Sequence, residues 1–237
     1  AGNTLYGLGI LGIESSFIGK VGRDEYGNFY EKDLVDATLK PHLLRSDNPT
    51  GTAVALVSPD SERTFATHLG AAIELDKSEL DNSYFRGNDI LYIEGYLINN
   101  FPLVEQACRL AKENNMVVAI DLASFNVVNE NRDHFKEIIN NYVDIVFANE
   151  EEAKAYSGLS PREALDILSE KCSIAVVKLG AEGSLIKRGE EIIKVDALKS
   201  NPVDTTGAGD LYASGFLYGY SQDLPLDRCG LFGSILA

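Results

Sequence analysis

The sequence predicts an α/β fold: a mainly parallel central sheet with helices packed on both faces, giving three layers. From Asp89 onward, short runs of almost unbroken apolar residues alternate with segments whose apolar positions recur at helical spacing. That is the pattern of parallel strands buried on both sides. The second observation is size. A chain of 237 residues, 45% hydrophobic and 24% charged, suits one large domain with a sizeable core.

Taken in order, residues 1–11 read as a helix rich in small residues and 15–22 as a strand or loop. Residues 24–37 read as an amphipathic helix, with Tyr26, Phe29, Tyr30, Leu34 and Val35 near one face. Three β-like runs follow at 39–44, 52–57 and 63–68, with Pro-Asp-Ser-Glu at 59–62 as a hairpin turn between the last two. Nothing helical separates the three runs. They read as a small antiparallel β flap over 39–70, inserted in a single domain spanning 1–237.

The alternation then begins: strand 89–93, helix 101–114, strand 117–121, helix 132–142, strand 145–148 and a short helix 150–156. Ser160-Pro161-Arg162-Glu163 is a capping box with proline at the first helical position, opening a helix that runs to Lys171. A strand at 174–178 precedes a hairpin made of 183–187 and 191–195. Ligands of such sheets bind at the carboxyl ends of the strands, which puts Glu94, Asp121, Asn149 and Gly180 on one rim. Asp121 acquires no role from the sequence.

Composition excludes several classes. A formal charge of −15 without any Lys/Arg run argues against a basic nucleic-acid face. No apolar run approaches transmembrane length and no leader is visible, so no membrane role is expected. Cys108, Cys172 and Cys229 are odd in number and form no Cys-x-x-Cys, which suits reduced thiols in a cytoplasmic protein. His42, His68 and His134 lack zinc-ligand spacing and read as structural or surface residues. The chain opens and closes in mid-pattern, so part of each end of the domain is expected to lie outside it.

The most informative stretch runs from Asn201 to Tyr218. Pro202, Val203, Thr205 and Thr206 favour extended backbone, and Gly207-Ala208-Gly209 permits a tight turn. From Asp210, Leu211, Ser214/Gly215 and Tyr218 recur at helical spacing. A glycine turn opening a helix gathers backbone N–H groups and the positive end of the helix dipole into an anion site. Asp210, in that first turn, is either an ordinary N-terminal acid or a base facing a hydroxyl about to attack a phosphoryl group. Gly7-x-Gly9-x-x-Gly12 formally matches a dinucleotide fingerprint, but only six residues precede it and no long helix follows. A chance match or helix-packing glycines is the better reading.

The string Asp204-Thr205-Thr206-Gly207-Ala208-Gly209-Asp210 closely resembles the second signature of the PfkB (ribokinase-like) family of carbohydrate and nucleoside kinases. Ala1-Gly2-Asn3-Thr4 resembles the tail of its first signature, and Ala148-Asn149-Glu150-Glu151-Glu152 its Asn-x-x-Glu motif. Lys178-Leu179-Gly180-Ala181-Glu182-Gly183 resembles its nucleotide-binding turn. The resemblance implies a ribokinase-like α/β/α sandwich whose flap is a lid, able to mediate a homodimer. It implies transfer of the ATP γ-phosphoryl group to a hydroxymethyl of a sugar or nucleoside, with Asp210 as base and the Gly207, Ala208 and Gly209 amides stabilising the charge.

Asn3, and Glu94 at its strand end, would bind the acceptor. Lys178, Gly180, Gly183 and Thr206 would border the nucleotide, and Asn149 and Glu152 would hold Mg²⁺ through water. Asp204 and Thr206 resemble the start of a monovalent-cation loop, leaving potassium activation open. An adenosine-kinase-like nucleoside kinase, a catalytically idle sugar- or nucleotide-binding regulator and a dinucleotide-binding oxidoreductase are the alternatives. Neither a Walker A lysine motif nor a protein-kinase His-Arg-Asp set is present.

Overall fold

In the computed structural model, residues 1–57, 63–199 and 205–237 are described. In chain order the elements are α1 (Gly2–Ile10), β1 (Ser15–Gly22), α2 (Glu25–Asp36), β2 (Leu39–Ser46), β3 (Thr52–Val57), β4 (Arg63–His68) and β5 (Ile90–Glu94). There follow α3 (Phe101–Glu113), β6 (Val117–Asp121), α4 (Phe125–Glu130), α5 (Arg132–Asn141), β7 (Ile145–Asn149), α6 (Glu150–Ser157) and α7 (Pro161–Ser169). The remainder is β8 (Ile174–Lys178), β9 (Ser184–Arg188), β10 (Glu191–Val195), α8 (Ala208–Ser221) and α9 (Leu226–Leu236).

A six-stranded sheet in the order β10-β9-β8-β7-β6-β5 forms the middle layer. β5 through β8 run parallel, and β9 and β10 continue the sheet antiparallel. Alternation along the strands divides the core in two, because successive side chains point to opposite faces. Val118, Ile120, Val146, Ala148, Ala175 and Val177 pack with residues of α3, α5, α6 and α7. Ala119, Ile145, Phe147, Ile174 and Val176 face α1, α8 and α9 through Leu8, Phe216 and Cys229. The three-layer expectation is met.

The strand at 39–46 is a correction. It was expected to join the 52–68 hairpin as a third antiparallel strand, but β2 pairs parallel with β1, Ser15 opposite Leu39 through Gly22 opposite Ser46. The helix between them is the reason. A strand–helix–strand unit returns the chain in the same direction, so α2 makes β1 and β2 parallel neighbours. Among the described residues the antiparallel part of the flap is β3–β4, Thr52 opposite His68 through Val57 opposite Arg63; the expected turn at 59–62 lies outside the described residues.

Asp24 ties this flap to the domain. It caps α2 by accepting from the Gly27 amide at 2.8 Å, and also accepts from the Thr50 amide at 2.7 Å and the Thr50 hydroxyl at 2.6 Å. The Thr50 bonds, first of all, hold the Asp24 carboxyl below its ordinary range. His42 stacks on Tyr84 and His134 on Phe101, with ring centroids 4.4 and 4.5 Å apart.

Candidate active site

Gly207 is the N-cap of α8 and has φ +79°, a left-handed conformation that a glycine adopts without Cβ strain. The turn delivers Asp210 to the first turn of the helix, half-buried. The Ala208 amide, expected in the anion cradle, instead donates to the Thr205 carbonyl at 3.1 Å. Gly207 and Gly209 are therefore the turn's remaining candidate amide donors. Thr206 is exposed beside them, whereas Asp204 lies outside the described residues.

Helix α1 brings Asn3 to this turn. Its Nδ2 donates to Asp210 Oδ2 at 2.8 Å, joining residues at opposite ends of the sequence. The approach depends on Gly7: a Cβ there would fall 2.5 Å from Ser214 Oγ of α8. Ser214 Oγ in turn donates to the Thr4 carbonyl at 2.7 Å. Gly7 and Gly9 are thus packing glycines, a Cβ on Gly9 falling 2.5 Å from the Ala37 carbonyl, whereas Gly12, at φ +80°, faces open space in the turn after α1. Glu94, at the end of β5, has its Oε2 2.7 Å from the Ala1 backbone nitrogen, on the same side as Asn3.

The strand ends supply a second group. Glu94 is in register with Asp121, and Asn149 with Lys178. Lys178 Nζ donates to Asp121 Oδ2 at 2.6 Å across the intervening strand β7. It is also 3.2 Å from where a Cβ on Gly209 would sit, so the ammonium lies against the glycine turn. Burial opposes the Lys178 charge, but Asp121 and Glu152 outweigh it and its pKa is raised.

Asn149 and Glu152 form a reciprocal capping box at the start of α6. Asn149 Oδ1 accepts from the Glu152 amide at 2.8 Å, while the Glu152 carboxylate accepts from the Asn149 amide at 2.8 Å and its Nδ2 at 2.7 Å. Glu152 is only 3% exposed. Burial, and then the Asp121 charge, push its carboxyl up to about 7.

Among the described residues, no group of three or more His, Cys, Asp or Glu could hold a metal ion directly. One buried, hydrogen-bonded carboxylate fits a hydrated Mg²⁺, which keeps several waters and takes few protein ligands. It fits no all-protein cage.

The nucleotide-turn glycines differ. Gly180 opens an exposed 3₁₀ turn at the carboxyl end of β8. The space a side chain would need at Gly183 is taken by the Val195 carbonyl, 2.0 Å from an ideal Cβ. Gly183 is required by the passing chain. A cavity of about 650 Å³ lies between β5 and β1 and reaches the rim at Gly2 and Glu94. Its walls are mostly apolar, including Leu8, Phe17, Ile18 and Leu91, and neither Asp210 nor Lys178 lines it.

Comparison with known proteins places the sequence and the fold in one family. The sequence pattern of the pfkB family carbohydrate kinases matches residues 1–237. An uncharacterized sugar kinase of Archaeoglobus fulgidus is 29% identical over 241 residues, covering 98% of this chain and 92% of that protein. A 5-dehydro-2-deoxygluconokinase of Listeria monocytogenes is 27% identical over 252 residues, covering 99% and 77%. The crystal structure of adenosine kinase from Sinorhizobium meliloti superposes with a TM-score of 0.94 at 34% identity, over 100% of this chain and 75% of that one.

Proposed function

We propose that this chain, which belongs to the pfkB family of carbohydrate kinases and is a sugar or nucleoside kinase, moves the γ-phosphoryl group of ATP to a hydroxymethyl of its acceptor. The observation that carries the proposal is Asp210, held by Asn3 at 2.8 Å beside a glycine turn that opens α8. A carboxylate next to an anion cradle suits a reaction in which a hydroxyl loses its proton while attacking a phosphoryl group. Asp210 takes that proton. The Gly207 and Gly209 amides, the dipole of α8 and the Lys178 ammonium stabilise the charge of the group in transit.

Asn149 and Glu152 would hold Mg²⁺ through water, where it would offset phosphate charge. Gly180 and Thr206 border the nucleotide, and Asn3 and Glu94 the acceptor. Asp204 and Thr206 remain the candidates for a monovalent cation such as potassium. The β3–β4 hairpin acts as the lid, and its exposed Val54, Leu56, Val57 and Phe65 support a homodimer formed through it. Among the described residues no helix is long and apolar enough to cross a membrane; three unpaired cysteines support a cytoplasmic setting.

The similarities divide between sugar and nucleoside kinases, so the acceptor is found by a panel. The protein is incubated with ATP and Mg²⁺ and each of a set of pentoses, hexoses, keto-sugar acids and nucleosides, and the products are weighed by mass spectrometry. Phosphorylation of one acceptor supports the proposal. Nucleotide and sugar binding without product on any acceptor favours a regulator.

A further inference from the structure

We infer that Asp121 is a positioning residue, holding the Lys178 ammonium against the glycine turn, where it meets the phosphoryl group in transit. The inference deepens the kinase proposal and rests on its placement of that group at the turn.

Asp121 ends a strand whose other residues, Val117, Val118, Ala119 and Ile120, are all apolar. One carboxylate oxygen, Oδ1, accepts from the Ala123 amide at 3.0 Å, in a tight bend where Ala123 itself has φ +67°. That fixes the direction of the other oxygen. Oδ2 points across β7 to Lys178, two strands away, and accepts at 2.6 Å. The Asp121 and Lys178 side chains are only 8% and 14% exposed.

Two charges taken this far from water seldom add net stability, because desolvation cancels most of their attraction. A pair kept under those terms calls for another explanation, and the far side of the lysine supplies it. The same Nζ lies 3.2 Å from the Cβ position of Gly209, and so adjoins the amides that would face the phosphate oxygens. A long lysine side chain does not fix its own ammonium. The buried carboxylate does so, giving the turn a preorganised positive charge that needs no rearrangement during reaction.

The step itself balances simply. The acceptor oxygen bonds to phosphorus as the bond from phosphorus to the bridging oxygen of ATP breaks, and the hydroxyl proton passes to Asp210. Lys178 keeps its protons and contributes charge alone. Asp121 touches none of the reacting atoms.

The test compares Asp121→Asn, Lys178→Met and the double variant with the wild-type chain, on whichever acceptor the wild type phosphorylates. Each single variant is expected to lower kcat about 10–100-fold with acceptor KM within about threefold, as for loss of one preorganised transition-state contact. The double variant, assayed above the range in which Glu152 titrates, should be no slower than Lys178→Met, since there Asp121 acts on the transfer step through the lysine. It also removes both buried charges, so its fold should survive where a single variant's does not.

Thermal melts run alongside identify loss of fold. Near-wild-type kcat in Asp121→Asn overturns the inference, and so do losses that multiply in the double variant; the kinase proposal stands in both cases. A wild-type protein that phosphorylates no acceptor removes the kinase proposal and the inference together.

Discussion

Replacing Glu152 by Gln should change how stability depends on pH between about 4.5 and 8. Burial, then Asp121, raise the Glu152 carboxyl from its ordinary 4.5 to about 7. Across that interval the folded protein binds a proton that the unfolded chain has released. Stability therefore falls as pH rises, and the folded state's advantage is lost as pH passes the folded pKa. At ~1.4 kcal/mol per pH unit the full rise from 4.5 to about 7 corresponds to at most about 3.5 kcal/mol. The opposing Lys178 charge is already contained in that value, and about 1–3 kcal/mol is the expected order of magnitude.

Gln keeps the N3 position of the capping box and gives up one of the two bonds from Asn149, a constant offset that pH does not alter. Other groups elsewhere in the chain also titrate. His42 has its pKa lowered, chiefly by burial, and contributes stability that is lost as pH falls. Asp24 and Glu79 are held low by hydrogen bonds and lose their contribution at still lower pH. These effects are common to both proteins and cancel in the difference.

The assay is urea unfolding of both proteins at pH 4.5, 5.5, 6.5, 7.5 and 8, with chelator and without nucleotide. The wild type should lose ground to Glu152→Gln steadily up to about pH 7.5 and then run parallel. Curves parallel throughout would refute the placement of Glu152 in a buried site beside Asp121.

Two further substitutions probe the joint between α1 and α8. Asn3→Ala removes the donor that orients Asp210 from an exposed position, so about 1–2 kcal/mol of transition-state stabilisation, roughly 5–30-fold in kcat, should be lost. The melting temperature should hold or rise slightly, because Ala favours helix α1; unchanged kcat would show that Asn3 does not orient the base. Gly7→Ala places a Cβ 2.5 Å from Ser214 Oγ and should destabilise by about 1–3 kcal/mol in urea unfolding. Ser214→Ala in the same chain should recover part of that, and full additivity of the two would contradict the packing described.

Much of this architecture was legible in the residues. β6, β8 and β10 occupy the expected positions because a short apolar run between amphipathic helices has few other places to go. The glycine turn and Asp210 were legible because Gly207 needs a left-handed conformation and the helical spacing begins directly after it. Pairing was harder. β2 looks the same as a parallel or an antiparallel strand, and only the α2 crossover, a tertiary feature, decides between them. Helix α4 escaped notice because its six residues, Phe125–Glu130, are too few to show a period.

Within the site, Asn149 and Glu152 carry a capping-box signature that residue types alone reveal, but the burial of Glu152 had no such signal, since Glu163 in the same motif at α7 is exposed. The Asp121–Lys178 pair had a weaker one. Each is the charged last residue of an otherwise apolar strand, but 57 residues separate them. Gly183 carries a second constraint that the sequence does not show: whatever it presents to a ligand, a side chain there is barred by the Val195 carbonyl.

The central claim is that Asp210 removes the acceptor proton at the glycine turn, and Asp210→Asn tests it most directly. ATP affinity is measured by calorimetry beside kcat on the acceptor that the wild type phosphorylates. The account predicts that nucleotide still binds within about threefold while kcat falls by about 10²–10⁴, the range for removal of a general base. A variant that binds ATP normally and retains wild-type kcat would contradict it.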